Sequence, residues 1–395
     1  MESCQPDGAA MVESLLRHLA LRPNKFQAHA QGALRRRARR PLRAAPGLAA
    51  LKMSEALARS PTNCRDAAQR EQNQKPRAAR GLRFAGGAHS RAHPGKECAD
   101  GGGADSYFID PQGEALGVAD GVGEWEWRFQ ISARAFADEV MGGCQAHVER
   151  TRDLKADSHD RSRAALQCGY DRAKSFGSST ACVAALRAAW PAEARLRVAN
   201  LGDSTLLALR REAGTGKRYC VQKTQEQQRS FNCPYQLARL PTPEDFPQLL
   251  KLGKDRLVKA MMQNASPRLD VPEDADIYDI PMEDGDLVIL GTDGVFDNLF
   301  IQEVCEIVSD AVSPLEADVA LSANGRRAAD DAAGHGVATD PERLAMAIVE
   351  AAYHRSLDRT ASTPYGQRAR EAGLRHVGGK MDDITVVCAW VTSNQ

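Results

Sequence analysis

Aspartates stand at the ends of three apolar runs that have the composition of β-strands. They are Asp120-Gly121 after EALGVA, Asp293-Gly294 after LVILGT, and Asp382-Asp383 before ITVVCAWV. A strand end is a rigid support, and glycine after aspartate allows a tight turn that exposes carboxylate and carbonyl oxygens. Hard cations such as Mg²⁺ prefer oxygen ligands. If the fold brings these ends together, two ions that share a carboxylate could lower the pKa of a water molecule and clamp a phosphoryl group.

A single Asp-Gly step is more often a plain turn than a metal site, so the argument depends on what surrounds each pair. Five motifs follow one another along the chain: VADGVG (118–123), GSSTA (177–181), ANLGDS (199–204), TDGVFDN (292–298) and GGKMDDITV (378–386). Together they closely resemble the motif series of the protein phosphatase 2C family, over residues 93–391. The segments HPGK (93–96) and EQQRSFNCPYQL (226–237) resemble an organellar branch that is similar to the T-cell-activation phosphatase.

The resemblance implies a Mg²⁺- or Mn²⁺-dependent protein serine/threonine phosphatase with two or more ions per chain. Water activated at a binuclear aspartate site would attack phosphorus directly, without a phosphoenzyme. In this correspondence Asp120 bridges both ions and Gly121 gives one of them its backbone carbonyl. Asp293 and Asp382 match the remaining direct ligands.

Other positions receive supporting roles from the same resemblance. Asp203 and Asp297 match positions that hold a weaker third ion in some relatives. Asp105 matches an acidic residue that orients a metal-bound water, and Asp383 stands where many relatives have Asn, which implies a role behind the direct ligands. Lys96 replaces the arginine that grips substrate phosphate in other branches, with Arg91 as the nearest alternative; an ordinary solvated lysine is the competing interpretation.

Two departures from the family pattern leave a second function open. Val122 stands where most relatives have a histidine that is a candidate general acid, and Ala104 stands where they usually have Glu. Loss of a general acid typically costs 10²–10⁴-fold in rate. The organellar branch also lacks this histidine, so an active enzyme is favoured. The alternative is a pseudophosphatase that binds phosphoproteins without turnover.

Strands and helices come in blocks rather than in strict alternation, which favours an α+β fold, a four-layer α-β-β-α sandwich with two central, mostly antiparallel sheets. The run 195–211 predicts two strands joined as a hairpin by a Leu-Gly-Asp turn. Residues 316–340 are rich in Gly, Ala and Asp and predict a surface insertion. Helices are expected at 132–149, 161–176, 246–264 and 341–357.

The N-terminal part of the chain is basic. No acidic residue lies between Glu13 and Glu55, and arginine and alanine are abundant there. This pattern is typical of an organelle transit peptide, with a plastid favoured over a mitochondrion; a basic tail that binds an acidic partner is the alternative. Residues 1–80 are therefore expected to be a disordered transit and linker segment, and 81–395 the phosphatase domain.

Composition excludes several classes of protein. Formal net charge is zero, which argues against a nucleic-acid-binding protein. The ten cysteines include no CxxC pair, so neither a zinc site nor a disulfide framework is expected. No apolar run is long enough to predict a transmembrane helix. We expect a monomer whose partners are its phosphoprotein substrates.

Overall fold

Two antiparallel sheets of five strands each form the centre of the structure. The computed structural model describes residues 81–96, 103–152, 160–187, 194–213, 215–263, 269–322 and 339–393. The predicted transit segment 1–80 and most of the predicted insertion 316–340 lie outside these ranges; the part of the latter up to Ser322 continues a helix.

The first sheet has the order β1-β14-β13-β7-β8. Its strands are β1 (Leu82–Arg91), β14 (Ile384–Ser393), β13 (Leu287–Gly291), β7 (Thr205–Arg211) and β8 (Arg218–Lys223). The second sheet has the order β12-β6-β5-β3-β2. Its strands are β12 (Asp276–Pro281), β6 (Arg195–Leu201), β5 (Ala181–Arg187), β3 (Ala115–Ala119) and β2 (Ser106–Ile109).

The central strands are apolar on both faces because each sheet is covered on both sides. Along β14, Val387 and Ala389 pack in the core between the sheets, while Cys388 and Trp390 pack in the core beneath the helices. Side chains alternate between the two faces of a strand, so burial of both faces requires an unbroken apolar run. ITVVCAWV is such a run, and it therefore fixes β14 in the interior.

Helices form the two outer layers. The helices α2 (Ala133–Thr151) and α3 (Arg161–Arg172) cover the second sheet, and α7 (Ile301–Ser322) and α8 (Pro341–Leu357) cover the first. The α-β-β-α sandwich predicted from the sequence is therefore confirmed. The bounds of α8 are those expected, because Asp340 caps its first turn by accepting a hydrogen bond from the Glu342 amide at 3.0 Å.

Smaller elements surround one end of the sandwich. They are the helices α1 (Glu124–Phe129), α4 (Phe246–Lys251), α5 (Asp255–Gln263), α6 (Asp293–Phe296) and α9 (Pro364–Glu371), the 3₁₀ turn Pro272–Asp274, and the short strands β4 (Gly177–Ser179), β9 (Gln228–Ser230), β10 (Cys233–Pro234) and β11 (Leu237–Arg239). The single helix expected over 246–264 is two helices, separated at Gly253, where φ is +70°. A left-handed glycine ends the first helix because most other residues avoid that conformation.

The predicted hairpin at 195–211 is wrong. Both strands exist, but β6 pairs with β5 and β12 in the second sheet, whereas β7 pairs with β13 and β8 in the first. The turn at Gly202 carries the chain from one sheet to the other, with φ +104° and with backbone and side-chain atoms 2.7 Å from the position of an added Cβ. Both strands are largely buried, and the strands that each one pairs with, rather than the turn between them, decide its sheet.

Candidate metal centre

The predicted aspartates meet at one edge of the sandwich, and both sheets contribute. Asp120 follows β3 and Asp105 precedes β2 in the second sheet, while Asp293 follows β13 and Asp382 lies shortly before β14 in the first. Asp203 lies in the turn that connects the two sheets. The structure thus brings together the carboxylates that the sequence places far apart.

The charges of these carboxylates act on one another. Burial raises the pKa of Asp120 well above its usual range, and the nearby carboxylates of Asp293, Asp105 and Asp382 raise it further. Burial and Asp293 likewise raise the pKa of Asp203 and of Asp382. Burial is the largest cause of the Asp120 shift, and the charged neighbours that add most to it are carboxylates.

Two oxygen atoms in the cluster are buried without a hydrogen-bond partner among the described residues: Oδ1 of Asp105 and Oδ1 of Asp293. An orphaned buried carboxylate oxygen is costly unless a cation or water meets it. An all-oxygen donor set is also the one that Mg²⁺ and Mn²⁺ prefer. The residues present therefore fit the ions that the family resemblance implies.

Gly121 lies where no side chain fits. A Cβ at this position would stand 2.4 Å from the carbonyl oxygen of Ala104 and 2.9 Å from that of Ala133. The neighbouring Asp120 is fixed by Thr180, whose hydroxyl accepts from the Asp120 amide at 3.2 Å and whose own amide donates to the Asp120 carbonyl at 2.9 Å. The GSSTA motif thus positions an aspartate rather than providing a nucleophile.

Threonine hydroxyl groups hold the Asp105 carboxylate. Its Oδ2 accepts a hydrogen bond from the Thr292 hydroxyl at 2.8 Å. Burial raises the pKa of Asp105 well above its usual range, and the Asp383 carboxylate adds to the effect. Thr292 immediately precedes Asp293, so this bond connects the two sheets within the site.

Both carboxylate oxygens of Asp383 accept hydrogen bonds from a neighbouring loop, so neither is free toward the cluster. Its carboxylate accepts from the amides of His93 at 2.7 Å and Ala104 at 2.8 Å, and from the Lys96 ammonium at 2.6 Å. Burial opposes its charge, but these three donors outweigh burial and lower its pKa. By fixing Ala104, Asp383 fixes the adjacent Asp105.

Lys96 lies at the site, paired with Asp383 and 3.8 Å from Glu126. Arg91, the alternative phosphate-gripping residue, is engaged elsewhere: its guanidinium bonds both carboxylate oxygens of Glu350 at 2.7 Å and lies 3.4 Å from the centre of the Tyr353 ring. Of these two cations, only Lys96 contacts a residue of the aspartate cluster.

Lys380 stands among the carboxylates, although it was not among the predicted site residues. Its ammonium lies 2.5 Å from Asp293, 2.6 Å from Asp297 and 3.0 Å from Asp382. Burial lowers its pKa, but these carboxylates outweigh burial, so the pKa of Lys380 lies well above its usual range. Its position, two residues before Asp382, was the only sequence signal that could have revealed it.

No three acidic, histidine or cysteine side chains in the described ranges already converge on one ion position. Lys380 contacts both Asp293 and Asp382, so ions at these ligands require its ammonium to withdraw toward Asp297. Asp203 and Asp297, the candidates for a third ion, lie beside this lysine, and a third ion there stays a prediction.

The two departures from the family pattern belong to one apolar cluster. Ala104 is completely buried and Val122 packs beside it, together with Trp125 and residues of α4 and α5. Trp125 donates from Nε1 to the Ser178 hydroxyl at 2.9 Å, whereas Trp127 is 60% exposed. Where the family pattern has a polar Glu and His, this chain therefore has two apolar side chains of one cluster.

No family model matches the chain, but individual relatives do. "Probable protein phosphatase 2C 80" of Arabidopsis thaliana is 31% identical over 313 residues, covering 79% of this chain and 60% of the relative. "Protein phosphatase PTC7 homolog fig" of Drosophila virilis is 32% identical over 297 residues, covering 73% of this chain and 77% of the relative. The chain belongs to the protein phosphatase 2C family.

A solved phosphatase structure is also similar to the chain. The photosystem II phosphatase PBCP is 25% identical, with a TM-score of 0.55, and the match covers 79% of this chain and 99% of PBCP. The chain spans 60% and 53% of the length of two Arabidopsis relatives, the phosphatases 2C numbered 80 and 55. The similarity thus covers only part of these two relatives.

The raised pKa values of Asp105, Asp120, Asp203 and Asp382 predict how the metal-free protein responds to pH. Between the ordinary aspartate pKa, about 3.9, and the raised values, the folded protein holds protons that the unfolded chain releases. Stability must therefore fall as pH rises through this window. In EDTA, the free energy of urea unfolding should be lower at about pH 7.5 than at about pH 5.5.

Asp120→Asn provides the comparison, because it removes one of the titrating groups and keeps the shape. The difference in unfolding free energy between the two pH values should shrink in this variant. An identical pH dependence in the wild type and in Asp120→Asn would show that the carboxylate cluster does not control stability.

Proposed function

We propose that the chain hydrolyses phosphoserine and phosphothreonine in proteins, using two Mg²⁺ or Mn²⁺ ions held by Asp120, the Gly121 carbonyl, Asp293 and Asp382. The observation that carries the proposal is the meeting of these carboxylates at one edge, with an orphaned buried oxygen on Asp293. The named relatives are protein phosphatases, which supports the reaction class.

Different residues of the chain have different roles in the proposed reaction. Bound ions supply positive charge that polarises the phosphoryl group and lowers the pKa of a water molecule. Thr180 fixes the Asp120 backbone through its hydroxyl and its amide, and the Asp120 carboxylate lies near those of Asp293, Asp105 and Asp382. Asp105 has one oxygen free to orient water, while Thr292 holds the other. Asp383 keeps Asp105 and Lys96 in place.

The apolar side chains of Ala104 and Val122 offer no proton to a leaving group. The leaving oxygen of a phosphoserine would then take its proton from water or leave without a general acid. This step is where a pseudophosphatase would differ from an enzyme, and turnover of a phosphopeptide distinguishes them.

Metal dependence is the first test of the proposal. Activity on phosphoserine or phosphothreonine peptides should vanish in EDTA and return with Mn²⁺ or Mg²⁺. Asp120→Asn and Asp293→Asn should each lose nearly all turnover and stay folded, because each substitution keeps the shape but removes a charge that holds an ion. Peptide dephosphorylation at saturating Mn²⁺ measures the loss, and circular dichroism measures the fold.

Asp279→Asn is the matched control. Asp279 pairs with Arg195 and Arg197 on β6, so its loss removes a carboxylate without touching the cluster. Turnover in this variant should match the wild type. Retention of about half of wild-type turnover or more by Asp120→Asn or Asp293→Asn would contradict the ligand assignment.

Lys96 is proposed to grip the substrate phosphate, because its ammonium lies beside the cluster, whereas Arg91 is paired with Glu350. Lys96→Ala should raise the KM for phosphopeptide and weaken inhibition by free phosphate, each by about tenfold, as for loss of a charged hydrogen bond. Steady-state kinetics with and without phosphate measure both constants.

Arg91→Ala controls for the loss of any nearby cation, since Arg91 bonds Glu350 instead. It should leave KM and phosphate inhibition unchanged. If both constants for Lys96→Ala stay within about twofold of the wild type, Lys96 serves only to hold Asp383.

The substrates are proposed to be organellar phosphoproteins, with a plastid favoured over a mitochondrion. The basic composition of residues 1–80 supports import, and the neighbour PBCP is a photosystem II phosphatase. A reporter fused to residues 1–80 should enter plastids, and a chain starting at Gly81 should stay active. A reporter that stays in the cytosol or enters the nucleus would contradict the proposal.

No helix in the described ranges is long and apolar enough to cross a membrane.

A further inference from the structure

Both carboxylate oxygens of Asp297 are bound by basic side chains. Arg368 donates to Oδ1, and the Lys380 ammonium donates to Oδ2 at 2.6 Å. Asp297 is only 3% exposed, so these two cations supply most of its surroundings. A metal ion at Asp297 would have to displace at least one of them.

The position of Lys380 is fixed by the backbone and not only by its flexible side chain. Asn298, which is fully buried, accepts from the Lys380 amide at 2.9 Å and donates to the Lys380 carbonyl at 2.9 Å. Asn298 directly follows Asp297, so the lysine and the aspartate are held together. The Lys380 ammonium also lies 5.3 Å from the centre of the Tyr365 ring, which favours a cation.

Arg368 is fixed as well. It lies on α9, where the Tyr365 amide donates to the Asp297 carbonyl at 3.0 Å, and its guanidinium also bonds Glu226 at 3.1 Å. The ring of Tyr365 packs against Phe231, 5.0 Å between centroids, in the loop between β9 and β10. The loop and α9 therefore close around Asp297 from outside.

Asp203, the second carboxylate at this place, also has a protein partner. Its Oδ2 accepts from the side-chain amide (Nε2) of Gln228, on β9, at 3.2 Å. Among the described residues, the carboxylates of Asp203 and Asp297 accept from side-chain nitrogens of Gln228, Arg368 and Lys380. Lys380 and Arg368 together carry two positive charges, the same charge as one divalent cation.

We propose that Lys380 and Arg368 occupy the place of a third divalent cation, so that this chain binds ions only at Asp120, Asp293 and Asp382. The inference rests on the binuclear centre of the proposed function. Ions at that centre meet the oxygens of Asp293 and Asp382, and the ammonium of Lys380 then stays with Asp297. The chain thereby keeps the positive charges of two side chains at this place permanently. A weakly bound ion would be present there only when the metal is available.

Counting bound Mn²⁺ tests the inference without any assay of activity. The full-length protein is stripped with EDTA, dialysed against increasing Mn²⁺, and its bound ions are measured by atomic emission. The wild type should bind about two ions, as a two-metal site does. The double variant Lys380→Met, Arg368→Met should bind about three, because Asp203 and Asp297 are then left without cations.

Arg195→Met is the matched control, since Arg195 pairs with Asp279 at the opposite end of β6 from Asp203. It should bind the same number of ions as the wild type. Thermal unfolding in EDTA is a second measurement. Lys380→Met should have a lower melting temperature than the wild type. Added Mn²⁺ should raise the melting temperature of this variant more than that of the wild type.

A third Mn²⁺ on the wild type would overturn the inference, and so would a double variant that folds and still binds the wild-type number. If the double variant does not fold, the count on the wild type alone decides. Binding of no Mn²⁺ to any of these proteins would instead overturn the binuclear centre of the proposed function, and the inference with it.

Discussion

Repulsion among buried carboxylates is the constraint on which the arrangement of this site depends. Asp120, Asp203 and Asp382 each have a pKa raised by burial and by neighbouring aspartates. The fold can keep such groups ionised only by placing positive charge or N–H donors beside them. Lys380 and Arg368 serve one side of the cluster, and the side around Asp120 has no such partner in the described residues. Positive charge from bound ions is therefore needed on the side around Asp120.

Local features of the sequence predicted the strand ends and most helices because they depend on near neighbours. The aspartates flank unbroken apolar runs, and α8 has its cap and proline at the positions that begin a helix. The join between β6 and β7 could not be predicted in this way. A short turn between two apolar strands is common to a hairpin and to a crossing between sheets, and only the strands that pair with each one distinguish them.

The site was predicted less completely than the fold. The direct-ligand candidates carry a recognisable motif, but Arg368 and Lys380 are ordinary residues in a polar stretch, and their role depends on contacts with residues far away in sequence. Arg368 reaches Glu226, which is 142 positions away. The packing of Ala104 and Val122 in one cluster could not be predicted for the same reason. In the sequence each is a separate departure from the family pattern, whereas in the structure both belong to one apolar cluster.

Asp203 lies in the turn that passes from one sheet to the other, and the carboxylates around it come from both sheets. Ions bound among them would fasten the two sheets to each other at this edge, beyond the apolar core that already lies between them. Opening of either sheet would then release ligands and cost binding energy. The backbone amides of both sheets would consequently exchange their hydrogens as one cooperative unit in the loaded protein, so catalysis and mechanical cohesion would depend on the same few oxygen atoms.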